Sequence, residues 1–205
     1  MIANFDIERI SLGAPVFDMA KLKWLNGRWL REDCSDEDFA DRIVNWAFNR
    51  EKLLEIIPLI KERVDVFSEV APMISFFAEG IPEVREADFA HKNASPDDVK
   101  MVLQFTLWDL EKITEWKRDA LNQLFVDLAG KLELKIRDVL APLFVAVSGK
   151  PVSPPLFASM EILGPELVRA RVRHAIDVLG GISKKQTRKL EKEYRAQNSV
   201  PRDGA

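Results

Sequence analysis

Along most of this chain apolar residues recur at intervals of three and four, the spacing that lines one face of a helix. Ser35-Asp36-Glu37-Asp38 offers an N-cap serine with acids in the first turn, ahead of Phe39, Ile43, Trp46 and Ala47. Pro58 is expected in the first turn of the next helix, where its missing N–H is harmless. Behind it, Ile60, Val64 and Phe67 read as one stripe. Ser95-Pro96-Asp97-Asp98 opens a helix with Val99, Val102, Leu103, Phe105, Thr106 and Leu110 inward. Thr114-Glu115 leads into Leu121, Leu124, Phe125 and Leu128. A further run, Ile136, Val139, Leu140, Leu143 and Val147, is closed by Ser148-Gly149. Two short helices are expected to start at Ser153-Pro154 and Gly164-Pro165. The second carries Leu167, Val172, Ala175, Ile176 and Leu179 to a Gly180-Gly181 stop. Ser183 caps a last, highly charged helix ending near Gln197.

No segment alternates apolar and polar residues about a hairpin turn, and Asn26-Gly27 reads as the exit of a helix. The fold class expected is all-α. A polar, turn-rich stretch from Gly80 to Ser95 separates two helical groups, and Ala129 to Leu134 is a second break. The division expected is a lead-in over 1–34 followed by two helical subdomains, 35–131 and 132–205.

Composition narrows the class. With 47% hydrophobic residues in 205 the chain has material for a core, and 9 Gly with 11 Pro exclude collagen-like or wholly disordered architectures. One cysteine, Cys34, excludes a disulfide framework or thiolate zinc cage. His91 and His174 lie far apart without ligand spacing, so no metal site is expected. No apolar run reaches the ~18 residues that cross a bilayer, and the start lacks a signal-peptide layout. A cytoplasmic protein without a membrane partner is expected. The net charge of −3 conceals an asymmetry: residues 169–205 hold ten Lys or Arg against four Asp or Glu, leaving −9 on the rest. A basic end on an acidic body suits a nucleic-acid contact, and equally a solvated helix face.

Catalytic signatures are missing. The sequence holds no phosphate-binding loop, dinucleotide glycine pattern, zinc helix or nucleophile elbow. Ser148-Gly149-Lys150 lacks the first glycine of a phosphate loop. Residue patterns alone support a helical binding module.

Several phrases carry the reading further. Val16-Phe17-Asp18-Met19-Ala20-Lys21-Leu22-Lys23-Trp24-Leu25-Asn26-Gly27 resembles a stretch of bacterial glutamyl-tRNA synthetases at the start of their helical tRNA-binding half, and Phe5 to Ser11 resembles the lead-in to it. Pro142 to Gly149, Ser153 to Phe157, Met160 to Gly164, Arg169 to Ala175 and Leu179-Gly180 continue the resemblance in order, over roughly residues 4–181. The resemblance implies the C-terminal, anticodon-binding portion of a class I glutamate–tRNA ligase. The HIGH- and KMSKS-type motifs of that family are absent, so the chain alone is expected neither to activate glutamate nor to need a cofactor. ATP and magnesium would belong to the longer parent. The partners implied are glutamate tRNA and an N-terminal catalytic domain, with the chain itself a monomer. A free-standing tRNA-binding protein acting in trans, or a helical protein-interaction scaffold, are the alternatives.

The resemblance also names residues. Arg63 matches a family arginine that contacts the third anticodon base; the bland alternative is a surface arginine with its stem on the stripe. Ser153, Pro154 and Leu156 match loop residues that contact anticodon nucleotides, with a helix cap and a core leucine as the alternative. Phe144 stands where the family has arginine; it either stacks on a base or packs in the core. Lys21, Lys23 and Arg28, and Arg169, Arg173, Lys184 and Lys185, are candidate contacts to the RNA backbone. Trp24, Trp29 and Trp46 read as packing residues, His91 and His174 as surface or packing residues, and Cys34 has no role.

Overall fold

Helix boundaries follow the caps wherever a side chain supplies them. In the computed structural model, which describes residues 18–47, 49–92 and 94–198, helix α1 spans Met19–Glu32 and opens on Asp18, whose carboxylate accepts from the Lys21 N–H at 3.0 Å. The Phe5 to Ser11 phrase lies outside the described residues. Asn26-Gly27 is not an exit: α1 runs through it. An interior glycine costs only about 1 kcal/mol relative to alanine, and the Arg28–Glu32 ion pair at 2.6 Å ties the turn beyond it. Helix α2 (Asp36–Ala47) starts as expected, with the Ser35 hydroxyl accepting from the Asp38 N–H at 3.1 Å.

The chain divides into two compact units between Trp46 and Ala47. In the first, no residue of α1 or α2 is buried. Of the two packing roles expected for Trp24, Trp29 and Trp46, core or contact between helices, the core one is corrected, since they stay 57%, 37% and 65% exposed. Two of them instead present their faces to arginine: Arg42 lies 4.6 Å from the Trp29 ring and Arg28 5.9 Å from Trp24.

The second unit begins with α3 (Arg50–Ile60), whose N-cap is Asn49, accepting from the Glu51 and Lys52 N–H groups. Pro58 therefore sits in the last turn of a helix, not the first. The helix stops two residues later in a 3-10 turn, Lys61–Arg63, followed by a bend at Asp65 and Val66. The stripe expected from Ile60 through Val64 to Phe67 does not form: Ile60 is buried, while Phe67 is 94% exposed. A second 3-10 turn, Phe67–Glu69, leads into α4 (Val70–Ala78). Among the described residues from Glu79 to Ser95 there is no α-helix, as the polar composition implies, but Val84 and Phe89 anchor this stretch in the core.

Helix α5 (Pro96–Lys112) has the full capping box that Ser95 and Asp98 promise, and Val99, Val102, Leu103, Phe105, Thr106 and Leu110 are all buried. Helix α6 (Arg118–Lys131) starts later than Thr114-Glu115 suggests. Its first N–H, on Arg118, is held at 2.7 Å by the Glu161 carboxylate from another helix, so the cap is not local in sequence. Helix α7 (Ile136–Ser148) ends at Gly149 with φ +73°, a left-handed residue that also lets Pro82 approach: a Cβ there would lie 3.2 Å from the proline Cβ. Helix α8 (Leu156–Leu163) begins beyond Ser153-Pro154, and α9 (Pro165–Val178) is fourteen residues long rather than short. Helix α10 (Lys184–Asn198) is closed at its start by reciprocal Ser183–Gln186 bonds. No strand occurs among the described residues, and the fold is all-α.

One apolar core joins α5 to α6, α7, α8 and α9, centred on Phe105, Leu103, Leu121, Phe125, Leu143, Met160 and Val172, and it takes in residues on both sides of position 131. A smaller cluster of Ile56, Phe76 and Phe77 ties α3 to α4 and, through Ile162, to α8. Between them lies Arg171, fully buried. Its guanidinium donates to the carbonyls of Gly80 (2.8 Å), Phe76 (2.7 Å), Glu79 (2.6 Å) and Val147. These are orphan carbonyls at the C-terminal ends of α4 and α7, where the helix dipoles favour a cation. Burial lowers its pKa from the usual arginine value, opposed by the Glu79 carboxylate.

Candidate nucleic-acid interface

The left-handed turn at Gly149 sends the chain from α7 into the loop that carries Ser153. Lys150 fixes one end of this loop by donating to the Pro72 carbonyl of α4 at 2.6 Å. At the other end the Ser153 carbonyl accepts from the Arg63 guanidinium at 3.4 Å, and the Ser153 hydroxyl donates to the Pro154 carbonyl. The fold thus brings together two candidate anticodon residues that stand ninety positions apart. Arg63 is exposed, on the 3-10 turn after α3 rather than on the flank of a helical stripe.

The other three candidates fall differently. Leu156 is 4% exposed and part of the core, so its side chain has no face to offer an unstacked base. Pro154 is buried as well. The reason is the late start of α8, which turns Leu156 inward beside Met160. What the loop leaves at the surface is Val152, 76% exposed, with exposed Pro155 and half-buried Ser153. Phe144 packs against the core and is half-buried.

Among the backbone candidates, Arg169 is not available to RNA. It donates through Nε and Nη2 to the Leu110 carbonyl at 3.0 and 2.6 Å, bonds Glu166, and lies 5.7 Å from the Trp116 ring. It closes the last turn of α5. Arg173 is exposed and paired with Glu111 at 2.8 Å, as Arg28 is with Glu32. Lys184 and Lys185 are exposed in the first turn of α10, and Lys21 and Lys23 are exposed on α1 in the separate first unit.

Helix α10 is held to the core by a polar knot. Tyr194, 7% exposed, donates to Asp109, accepts from Lys112 at 2.8 Å, and packs edge-on to Phe105. Lys131 adds a pair to Asp109 at 3.8 Å. With its apolar face so fixed, α10 turns Lys184, Lys185, Arg188, Lys189 and Lys192 to solvent. A second knot surrounds Asp138, which accepts from Lys92 and from His91 at 2.9 Å and is held down at a pKa of about 2 by those two bonds. His91 thus has a partner that sequence alone did not supply.

Other surfaces suit RNA less. A cleft of about 1020 Å³ between α3, α6 and α8 is lined by four carboxylates, Glu55, Glu115, Asp119 and Glu161, against Lys117 and Arg118. Among the described residues no cluster of His, Cys, Asp or Glu is arranged to hold a metal, and no helix is long and apolar enough to cross a membrane.

Neither Arg171 nor Tyr194 stands out in the sequence, and Phe67 reads there as part of an apolar stripe. For Arg171 a signal existed: it falls on the same helical face as Val168, Val172 and Ala175, where a cation needs partners. For Phe67 there was none, because the stripe that seemed to bury it depends on a helix that ends at Ile60.

Comparison with known proteins adds the family. The anticodon binding domain family matches residues 38–176. A glutamate–tRNA ligase of Alcanivorax borkumensis is 51% identical over 191 residues, which is 93% of this chain and 38% of that protein. One from Marinobacter nauticus is 49% identical over 199 residues, 96% of this chain and 40% of that protein. The chain therefore spans about two fifths of the length of these curated relatives. The crystal structure of a glutamate tRNA ligase from Elizabethkingia meningosepticum, in complex with its amino acid, superposes with a TM-score of 0.57 at 25% identity, covering 85% of this chain and 35% of that one.

Proposed function

Because this chain belongs to the anticodon binding domain family and aligns with glutamate–tRNA ligases, we propose that it recognises the anticodon of glutamate tRNA for such a ligase. The observation that carries the reading is the junction of Arg63 with the Ser153 carbonyl, which gathers two distant segments into one exposed polar site. In this reading Arg63 meets the third anticodon base and Ser153 contacts its neighbour. Lys184, Lys185 and Arg173 meet RNA phosphates, as do Lys21, Lys23 and Arg28 on the first unit. Amino-acid activation with ATP and magnesium belongs to a catalytic region of the ligase outside this chain, and the chain works in the cytoplasm as a monomer.

Arginine at this position has a chemical consequence. It carries donors only. The pairing edge of cytosine offers O2 and N3 as acceptors, so a guanidinium meets it with two bonds. Guanine presents N1–H and N2–H₂ there, donor against donor. A third-position C is therefore favoured over G.

Binding of glutamate tRNA to the 205-residue chain, measured across a range of salt, tests the reading. Affinity should fall steeply with salt because lysine contacts to phosphate release counterions. Lys184→Ala with Lys185→Ala should flatten the logarithmic slope by roughly 1–2. Salt-independent binding, or no binding, would refute the proposal. Arg169→Ala should instead lower stability, since its bonds are internal.

A further inference from the structure

Phe67 is 94% exposed, more than any other large apolar residue described. Its backbone is nevertheless held: the Glu69 N–H donates to the Val66 carbonyl at 3.1 Å, the Val70 N–H to the Phe67 carbonyl, and the Glu69 carboxylate accepts from the Asp65 N–H at 2.9 Å. The ring is thus presented on an ordered turn at the mouth of α4, while Phe76 and Phe77 of the same helix are buried. Four residues of chain, with a bend at Asp65 and Val66, keep Phe67 within about 14 Å of Arg63. Val66, next to Phe67, and Val152, next to Ser153, are also exposed, so each of the two segments that meet at the Arg63–Ser153 junction carries exposed apolar residues.

We infer that Phe67 is a stacking platform for an unpaired base of the RNA loop whose neighbouring base meets Arg63. The inference rests on the tRNA-binding reading and adds a residue to that site. An aromatic face suits any base, since every base has a π-face. It suits this turn in particular, because Glu62, Asp65 and Glu69 oppose Lys61 and Arg63 and leave little net charge to draw in a phosphate. Stacking requires no counterion release. The affinity it contributes should therefore be indifferent to salt, unlike that from arginine or lysine.

The experiment titrates an anticodon stem-loop RNA, carrying 2-aminopurine at one loop position at a time, against the full chain and its variants at low and high salt. Phe67→Ala should weaken binding by about 5- to 150-fold, the range for one stacked base. The factor should be equal at both salt concentrations, with the melting temperature unchanged. Phe67→Leu should lose most of the affinity and Phe67→Trp should keep it. One 2-aminopurine position should be quenched by wild type and not by Phe67→Ala. If Phe67→Ala binds like wild type while Arg63→Ala is weakened, the stacking role is overturned and the tRNA reading stands. A loss that disappears at high salt also overturns it. If wild type binds no stem-loop, both fall together.

Discussion

A cation sealed from water without a carboxylate bonded to it is costly unless its nitrogens are hydrogen-bonded. Arg171 meets that condition with each of its three nitrogens, spending four of its five N–H donors on four backbone carbonyls, and the planar fork of arginine is what reaches them. Arg171→Met should cost roughly 3 kcal/mol or more, because several buried carbonyls lose their donor. Arg171→Lys should recover only part of this, since one ammonium cannot span both helix ends. Urea denaturation of the three proteins measures it, and equal midpoints would show the clamp to be dispensable. Asp138 offers a titration at the same scale. Its pKa in the folded chain is lowered from 3.8 to about 2 by Lys92 and His91. A group depressed in this way stabilises the fold above its unfolded pKa and ceases to as pH falls through the folded value. Wild type should therefore lose this contribution between pH 3.8 and about 2. Asp138→Asn should be less stable at pH 7 and show a shallower decline over that window, as followed by circular dichroism. An unchanged acid profile would mean the Lys92 and His91 bonds contribute nothing in solution.

Among elements, α10 illustrates how a charged helix is retained. It offers the core little but Leu190 and the buried Tyr194, so the bond from Tyr194 to Asp109 bears much of the docking. Tyr194→Phe keeps the ring on Phe105 and removes the hydroxyl, leaving Asp109 with Lys131 alone among the groups described around it. A loss of about 1.5–3 kcal/mol is expected, the worth of a hydrogen bond to a charged group. Faster amide exchange along α10 than in α5 should accompany it; exchange unaltered in both helices would contradict the docking role. Legibility at this scale followed the range of the determinant. Helices α2, α5 and α10 begin where Ser35, Ser95 and Ser183 imply, since cap and partner lie three residues apart. The start of α6 was hidden because its cap, Glu161, lies on α8. Pro58 was misplaced because it marks helix starts more often than ends, and the cue that mattered was Asn49. Gly27 suggested an end that its neighbours override.

For the molecule as a whole, the site is a product of tertiary assembly. Arg63 lies on the turn that follows α3, and Ser153 follows α7; they meet because α3, α4 and α8 share the Phe76 cluster and Arg171 clamps α4 to α7. The sequence resemblance pointed to both residues and also to Leu156, and the basic C-terminal third pointed to Arg169; the fold turns the side chains of the last two inward. Spacing along a chain indicates which residue types are present, whereas exposure depends on where neighbouring helices start and stop. Recognition of the third anticodon base by Arg63 is the central claim, and a base substitution tests it most directly. Binding of glutamate tRNA is compared with that of a variant carrying G in place of C at the third anticodon position, for wild type and Arg63→Ala. A bidentate base contact is worth about 1–3 kcal/mol of discrimination. Wild type should prefer C by a corresponding margin, and Arg63→Ala should lose most of that preference. Equal binding of both tRNAs by wild type would contradict the account.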